Sequence, residues 1–282
     1  MAVYISSSRN FCNRFLVKLW PFNWFALVNF TLACPIPDER SNKPAPSVSI
    51  IIPARNEAGN IANIFQSVPS MGSSTELIFI EGHSTDNTYD TIEKALKAND
   101  RPAKLFRQTE KGKGDAVRLG FSKASGDILM ILDADLTVRP EDLVRFYQAL
   151  STGRGDFING VRLVYPMDKE AMPFFNFIGN RFFSLAFSWL LDQNVKDTLC
   201  GTKVVWKRDY ERIACNRSYF GDFDPFGDFD LLFGAARLNM RIIDLPIRYR
   251  ERTYSTTNIQ RWRHDWLLLR MVIFAAFLIK FV

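Results

Sequence analysis

The chain has 282 residues and a formal net charge of +6; it is 47% hydrophobic and 14% aromatic. That much apolar side chain excludes a disordered polymer and suits one large α/β domain or two small ones. The modest positive balance suits anionic partners such as phosphates, nucleotides or an acidic lipid surface, and it is not concentrated as in a nucleic-acid-binding arm.

Residues 15–37, FLVKLWPFNWFALVNFTLACPIP, are apolar but interrupted by Lys18, Pro21, Asn23 and Asn29. A spanning helix wants about 20 mostly apolar residues, so an interfacial or core-packing segment is expected here. No clear small-residue cleavage site follows, so a signal peptide is not expected. Residues 35–46, PIPDERSNKPAP, read as a Pro-rich, charged linker. The cysteines Cys12, Cys34, Cys200 and Cys215 show no CxxC or Cys/His spacing and read as free thiols in a reducing compartment. With His83 and His264 as the only histidines, zinc is not expected.

From residue 47 a strand–helix alternation begins. SVSIIIP is a buried strand by its β-branched run, and NEAGNIANIFQSV follows with Ile61, Ile64, Phe65 and Val68 at helical spacing. ELIFIEG (76–82) and DTIEKALKAN (90–99) repeat the pair, then AKLFRQ (103–108) with KGDAVRLGFSKA (113–124), then the strand DILMILDAD (127–135). Such alternation implies parallel pairing with right-handed crossovers, an α/β doubly wound open sheet. Ligands of these sheets bind at the carboxyl ends of the strands. Arg55, Asn56 and Glu57, then Glu81 and His83, then Asp133 and Asp135 all follow strands, and the glycine segment 112–114 joins them on one rim.

Asp133 and Asp135 flank Ala134, and on an extended segment they would point the same way. Adjacent carboxylates repel unless a cation intervenes, and hard oxygen ligands of this kind suit Mg²⁺ or Mn²⁺. The competing reading is a cap for the Pro-initiated helix in DLTVRPEDL. EKGKGDAVRLG (110–120) sets Lys111, Gly112, Lys113 and Gly114 before a helix, an arrangement that favours phosphate, although it is neither a Walker A loop nor GxGxxG. In EGHSTDNT (81–88), Ser84, Asp86 and Thr88 are possible caps, Asp86 foremost, while Glu81 suits a nucleobase or ribose. GDFDPFGDFDLLFGA (221–235) carries Asp222, Asp224, Asp228 and Asp230 ahead of an apolar helix. These acids could cap it or take a proton from an attacking hydroxyl. The run 248–266 interleaves arginine with aromatics, and 266–282 reads as an interfacial helix or one docked on the domain.

As a set, SIIIPARNEAGNI, IFIEGHSTDNT, KGKGDAVRLGFSKASGDILMILDADL, NGVRLV, DTLCGTKVVWKR and LPIRYRERTYSTTNI resemble the family-2 glycosyltransferases of the GT-A fold. The likeness is strongest to their polyprenyl-phosphate, dolichol-phosphate mannose synthase-like branch, and it covers about residues 47–260. The resemblance implies a nucleotide pocket at Pro53, Arg55 and Glu57, with Glu81 on the base. It implies Asp133 and Asp135 at a Mg²⁺ or Mn²⁺ ion, and Lys113 and Gly114 of the glycine segment would then meet the donor phosphates. Arg162 would face the donor or acceptor phosphate, and Arg252, with Asn258, the phosphate near the acceptor. Asp230 stands where the family carries an acid, and Asp228 is the other candidate catalytic acid. The chain departs from the branch where Thr137 stands for a frequent glutamine, and in RTYSTTN, where Ser255, Thr257 and Asn258 replace glycine, serine and lysine.

The expected organisation is an apolar segment and linker over 1–46, a GT-A domain over 47–260 and a C-terminal amphipathic helix over 261–282. The expected function is inverting, metal-dependent sugar transfer from a nucleotide-diphosphate sugar to a lipid-phosphate or saccharide acceptor. Its expected place is the cytoplasmic side of a membrane, peripheral or weakly anchored, with no nucleic-acid partner. A sugar-nucleotide nucleotidyltransferase and a non-catalytic membrane-associated binding protein of the same fold are the alternatives.

Overall fold

The computed structural model describes residues 44–162, 174–217, 229–250, 254, 269–270 and 272–280. Seven strands form one sheet: β1 (Val48–Ala54), β2 (Thr75–Glu81), β3 (Ala103–Arg107), β4 (Ile128–Ile131), β5 (Phe157–Val161), β6 (Lys203–Trp206) and β7 (Ile242–Pro246). Their order across the sheet is β3-β2-β1-β4-β6-β5-β7. β1 pairs in parallel with β2 and β4, β2 with β3, and β5 with β7. Only β6 runs the other way, antiparallel to both β4 and β5. The sheet is therefore mixed but mostly parallel, and the carboxyl ends of β1 to β4 share one edge.

The helices are α1 (Ile61–Ser67), α2 (Thr88–Ala98), α3 (Lys113–Lys123), α4 (Leu143–Ser151), α5 (Phe174–Leu191), α6 (Lys207–Cys215) and α7 (Phe229–Arg237). A 3₁₀ turn at Ala58–Asn60 precedes α1, and another at Pro140–Asp142, with proline at its start, precedes α4. Proline suits that place because its missing N–H would be unpaired in a first turn anyway.

Alternation along the strands sorts the apolar side chains into two cores. Ile51, Ile78, Ile80, Leu129, Ile131 and Phe157 face α3, α5, α6 and α7. Ile50, Ile52, Leu77, Phe79, Met130 and Ile158 face α1, α2 and α4. Strands buried on both faces read as unbroken apolar runs, which is why SIIIP and ILMI lack a polar face. Stacked rings tie helix to neighbour on each side: Phe65 on Phe79 at 5.2 Å, and Phe187 on Phe233 at 5.4 Å.

One expected strand is shortened. β4 stops at Ile131, so Asp133 and Asp135 sit in a turn, not on the extended run expected over 127–135. Leu136, with a left-handed φ of 52°, returns its N–H to the Asp133 carbonyl at 3.3 Å, and that turn ends the strand. The two acids therefore do not share a strand face.

The expected N-terminal segment lies outside the described residues. At the other end, 272–275 are α-helical and Ala276–Lys280 is a π-helical turn. Ala275 and Ala276 are buried against the core, while Ile273, Phe274 and Phe277 are exposed. Lys280 pairs with Asp192 and lies over the Trp189 ring. Among the described residues, no helix is long and apolar enough to cross a membrane.

Candidate active site

The rim at the carboxyl ends of β1, β2 and β4 is built from left-handed corners. Asn56 (φ 57°), His83 (φ 56°) and Leu136 (φ 52°) each follow one of these strands within a few residues. Non-glycine residues rarely adopt this conformation, and it clusters where a fold must aim side chains or backbone at a ligand. The corners are cross-braced. Asn56 Oδ1 accepts from Thr85 N at 2.8 Å, and Ser84 Oγ accepts from Asn56 N at 3.0 Å.

The two acids have different partners. Asp133 Oδ1 lies 2.7 Å from Lys113 Nζ, and both side chains are about 30% exposed. Asp135 is buried, and its Oδ1 accepts from Thr137 N at 3.1 Å and Thr137 Oγ1 at 2.8 Å. The aspartate thus closes its own turn, and the 3₁₀ turn at Pro140–Asp142 starts from Arg139 with no side-chain cap. Gly201 stands behind the first pair: a Cβ there would overlap Lys113 Nζ and an Asp133 carboxylate oxygen, and would lie 2.8 Å from Asp133 Cγ.

Lys113 opens α3. Its preceding residue, Gly112, has φ 98° and offers no side-chain cap, so the first backbone N–H groups of the helix face the rim without one. Gly114 is buried in this first turn. Gln108 fixes the approach: its N–H bonds the Glu81 carbonyl at 2.9 Å, and its Nε2 bonds the Gly112 carbonyl at 2.7 Å. His83 is exposed, and its Nε2 lies 3.1 Å from the Glu110 carbonyl, a further brace between the same two loops.

Glu81 is buried at the end of β2, and Ser84 N donates to its Oε1 at 2.5 Å. It forms one wall of a cavity of about 430 Å³ shared with His83, Asp86, Asn87, Tyr89 and Arg107. The Arg107 guanidinium lies 4.0 Å above the Tyr89 ring. Asp86 Oδ1 accepts from Thr88 N at 3.0 Å and from Thr88 Oγ1 at the start of α2, whose N-cap position is Asn87 and not the expected Asp86, while its other oxygen is buried without a partner. Thr88 Oγ1 in turn accepts from Glu57 N at 2.9 Å, and Glu57 Oε2 accepts from Asn60 Nδ2 at 2.8 Å. Pro53 is half-buried within β1, and Arg55 is exposed just past it.

Arg162, just past β5, is gripped by Asp197: Nε to Oδ2 at 2.7 Å, Nη2 to Oδ1 at 2.9 Å and backbone N to Oδ2 at 3.1 Å. Burial opposes the charge on both partners. Their mutual attraction outweighs it, holding the Asp197 carboxyl below the usual carboxylate range and raising the guanidinium further. Burial also pushes the neighbouring Cys200 thiol up to about 11, so it is no nucleophile near neutral pH. Asp230, at the start of α7, is 2.6 Å from Arg217 Nε. Asp228, Arg252 and Asn258 lie outside the described residues. Among the described residues, Arg250 N donates to the Thr137 carbonyl at 2.9 Å, and the Tyr254 ring lies against Gly59.

The expected rim therefore assembles from Glu81, Lys113, Gly114, Asp133 and Asp135. Sequence reasoning missed Gly201, the clamp role of Thr137 and the Asp197 partner of Arg162. A glycine inside DTLCGTK, where neither a turn nor a strand requires one, was the available signal for the first. Among the described residues no three Asp, Glu, His or Cys side chains cluster to hold a metal by themselves. Asp133 and Asp135 nonetheless fit Mg²⁺ or Mn²⁺ that takes its remaining oxygens from a substrate diphosphate and water, since such ions often use only one or two protein carboxylates.

The profile of the family described as Glycosyl transferase family 2 matches residues 49–213, more than half of the chain. A dolichol-phosphate mannosyltransferase of Pyrococcus furiosus is 36% identical over 132 residues, 45% of this chain and 36% of that protein. Glycosyltransferase AglJ of Haloferax volcanii is 29% identical over 80% of this chain and 71% of its own. The chain thus spans only about a third of the length of some curated relatives it matches. Glucosyl-3-phosphoglycerate synthase of Mycobacterium tuberculosis, solved with Mn²⁺, UDP and glucosyl-3-phosphoglycerate, shares the fold. Its TM-score is 0.58 at 18% identity, over 83% of this chain and 80% of that one.

Proposed function

The chain belongs to glycosyl transferase family 2, and from that premise we propose that it transfers a sugar from a nucleotide-diphosphate sugar with inversion at the anomeric carbon. The observation that carries this reading is the meeting of Asp133, Lys113 and the uncapped start of α3 beside Asp135, on the rim that also holds the Glu81 cavity. Carboxylates for a cation, a lysine and backbone N–H groups for phosphate, and a polar cavity for a base are what such a donor demands.

In this reading Pro53, Arg55 and Glu57 border the nucleotide and Glu81 takes the base. Lys113 and the N–H groups at Gly114 draw the diphosphate toward α3. Asp133 and Asp135 would hold Mg²⁺ or Mn²⁺, whose charge, when bound, stabilises the diphosphate as a leaving group. The acceptor oxygen bonds to the anomeric carbon from the opposite face as the carbon–oxygen bond to the diphosphate breaks. The electron pair of that bond leaves with the nucleoside diphosphate.

The names of the relatives support a polyprenyl-phosphate-like acceptor, with a lipid-linked saccharide as the other choice. A phosphate acceptor is already anionic and needs little base catalysis, whereas a hydroxyl would pass its proton to Asp230 or Asp228. Arg162, Arg252 and Asn258 belong to the acceptor side, Arg162 being aimed by Asp197. Exposed Phe182 and Leu185 of α5, with Ile273, Phe274 and Phe277 of the C-terminal helix, support work at a membrane surface. We assign the catalytic domain to 47–260, held peripherally on the cytoplasmic side by its apolar ends. The test is a donor screen with Mn²⁺ and membrane lipid extract. Nucleoside diphosphate and labelled lipid are expected from the wild type, and Asp135→Ala is expected to be folded and inactive. Release of pyrophosphate, or full activity in Asp135→Ala, contradicts the reading.

A further inference from the structure

Lys113 Nζ is 2.7 Å from Oδ1 of Asp133, one of the two carboxylates that would hold a divalent cation. Two features keep the ammonium there, and a third engages the other acid. Lys113 is the first residue of α3, so its backbone is fixed by the helix and by the Gln108 bond to the Gly112 carbonyl. Gly201 closes the far side, touching both groups where any larger residue would collide with them. Asp135, the other acid, spends one oxygen on two hydrogen bonds from Thr137. In this state a divalent cation must compete with the Lys113 ammonium for Asp133.

We propose that Lys113 is an internal placeholder for the divalent cation. It occupies Asp133 in the donor-free protein and moves to the donor diphosphate when that group arrives, so that metal and nucleotide load together. The inference rests on the donor site described above and adds to it an order of binding. A diphosphate is the better partner for the ammonium, because it carries more negative charge and the uncapped N–H groups of α3 gather it at the same place. Releasing Asp133 restores the second carboxylate, and the diphosphate brings the remaining oxygens. The coupling is reciprocal by linkage: whatever the nucleotide gains from the cation, the cation gains from the nucleotide.

The idea predicts opposite signs for one substitution, which a purely structural lysine cannot give. In the Lys113→Gln protein, Mn²⁺ alone should bind about fivefold or more tightly than in the wild type, because a partly exposed ion pair no longer competes for Asp133. Mn²⁺-UDP should bind about tenfold more weakly, because the diphosphate has lost its lysine. Lys111→Gln removes a neighbouring exposed charge and measures the long-range electrostatic effect, which should be smaller. Free Mn²⁺ is counted by electron paramagnetic resonance, UDP and GDP binding by calorimetry, and folding by circular dichroism.

If Lys113→Gln binds Mn²⁺ alone no more tightly than Lys111→Gln does, or more weakly than wild type, the placeholder is overturned. If that variant proves unfolded, the comparison of the wild type with Lys113→Arg decides. Raising UDP from zero to saturation should tighten Mn²⁺ binding beyond what Lys113→Arg shows, since a guanidinium holds Asp133 by two bonds and yields it less readily; equal tightening overturns the idea. If neither UDP nor GDP binds with Mn²⁺, the donor reading fails, whereas a gain in Mn²⁺ affinity with no change in nucleotide binding overturns the exchange alone.

Discussion

Thr137 donates twice to one oxygen of Asp135, from its backbone N–H at 3.1 Å and its hydroxyl at 2.8 Å. The contact fixes the carboxylate's rotation in a turn that already contains the left-handed Leu136. Replacing the hydroxyl by a methyl in Thr137→Val keeps the shape and removes one bond, worth about 1 kcal/mol. The Mn²⁺ concentration for half-maximal transfer should rise about fivefold. Thr137→Ser should behave as wild type; equal effects of both changes would show that the hydroxyl is not what matters.

Gly201 is not in the left-handed region, so alanine there meets no backbone strain; the nearest obstacles are Asp133 and Lys113. Gly201→Ala should therefore lower kcat/KM by about tenfold or more, a misplacement effect at the reacting end. Its melting temperature should stay within a few degrees, read by calorimetry on the same sample. A large fall in stability with unchanged kinetics of the folded fraction would contradict this.

The Arg162–Asp197 pair is almost fully shielded, with side-chain exposures of 14% and 0%. Arg162→Met leaves the Asp197 charge buried and alone, and should cost about 3–5 kcal/mol in urea denaturation. Arg162→Met with Asp197→Leu should recover much of that stability, since two apolar groups need no counterion. If transfer stays absent in the stabilised double variant, the arginine has a role beyond the fold.

Glu76 staples the opposite edge of the sheet. Its Oε1 accepts from Ser49 Oγ at 2.5 Å and Ser125 N at 2.7 Å, and its Oε2 lies 2.8 Å from Lys104 Nζ. Burial alone would raise this carboxyl, but Lys104, Ser49 and Ser125 bring it from 4.5 down to about 2. A lowered folded-state value stabilises the fold fully above pH 4.5, and the benefit disappears as pH falls from 4.5 toward 2. After a discount for the half-exposed Lys104, the contribution is on the order of 2 kcal/mol at neutral pH. Glu76→Gln should be less stable than wild type at pH 7, and the two should converge near pH 2 in chemical denaturation. A gap of constant size across that window is the contrary outcome.

Much of the first half of the fold was legible because β1 and β2 are buried on both faces and read as apolar runs, while β3, at the sheet edge and only partly buried, is marked by its place between two helical patterns. The strands at 48–54, 75–81 and 103–107 fall within a residue of the segments that mark them. The DAD stretch was harder. Its apolar run continues through Leu132, yet a left-handed Leu136 turns the chain, and nothing in a leucine announces that conformation. The second half hides its order. β6 joins antiparallel between β4 and β5, a long-range pairing that local pattern does not encode. The acids of the rim were visible as acids, but their partners were not: Lys113 and Asp133 are 20 positions apart, and Gly201 is farther still.

The seat of Tyr254 on Gly59 has a practical meaning for anyone dividing this polypeptide. The matched family region ends at residue 213, but β7, at 242–246, completes the sheet beside β5, and Tyr254 then covers the corner after β1. A fragment cut at 213 would expose the β5 edge, an invitation to aggregate, and would uncover the first loop. The smallest piece worth expressing runs past Tyr254, so that the chain closes on its own beginning.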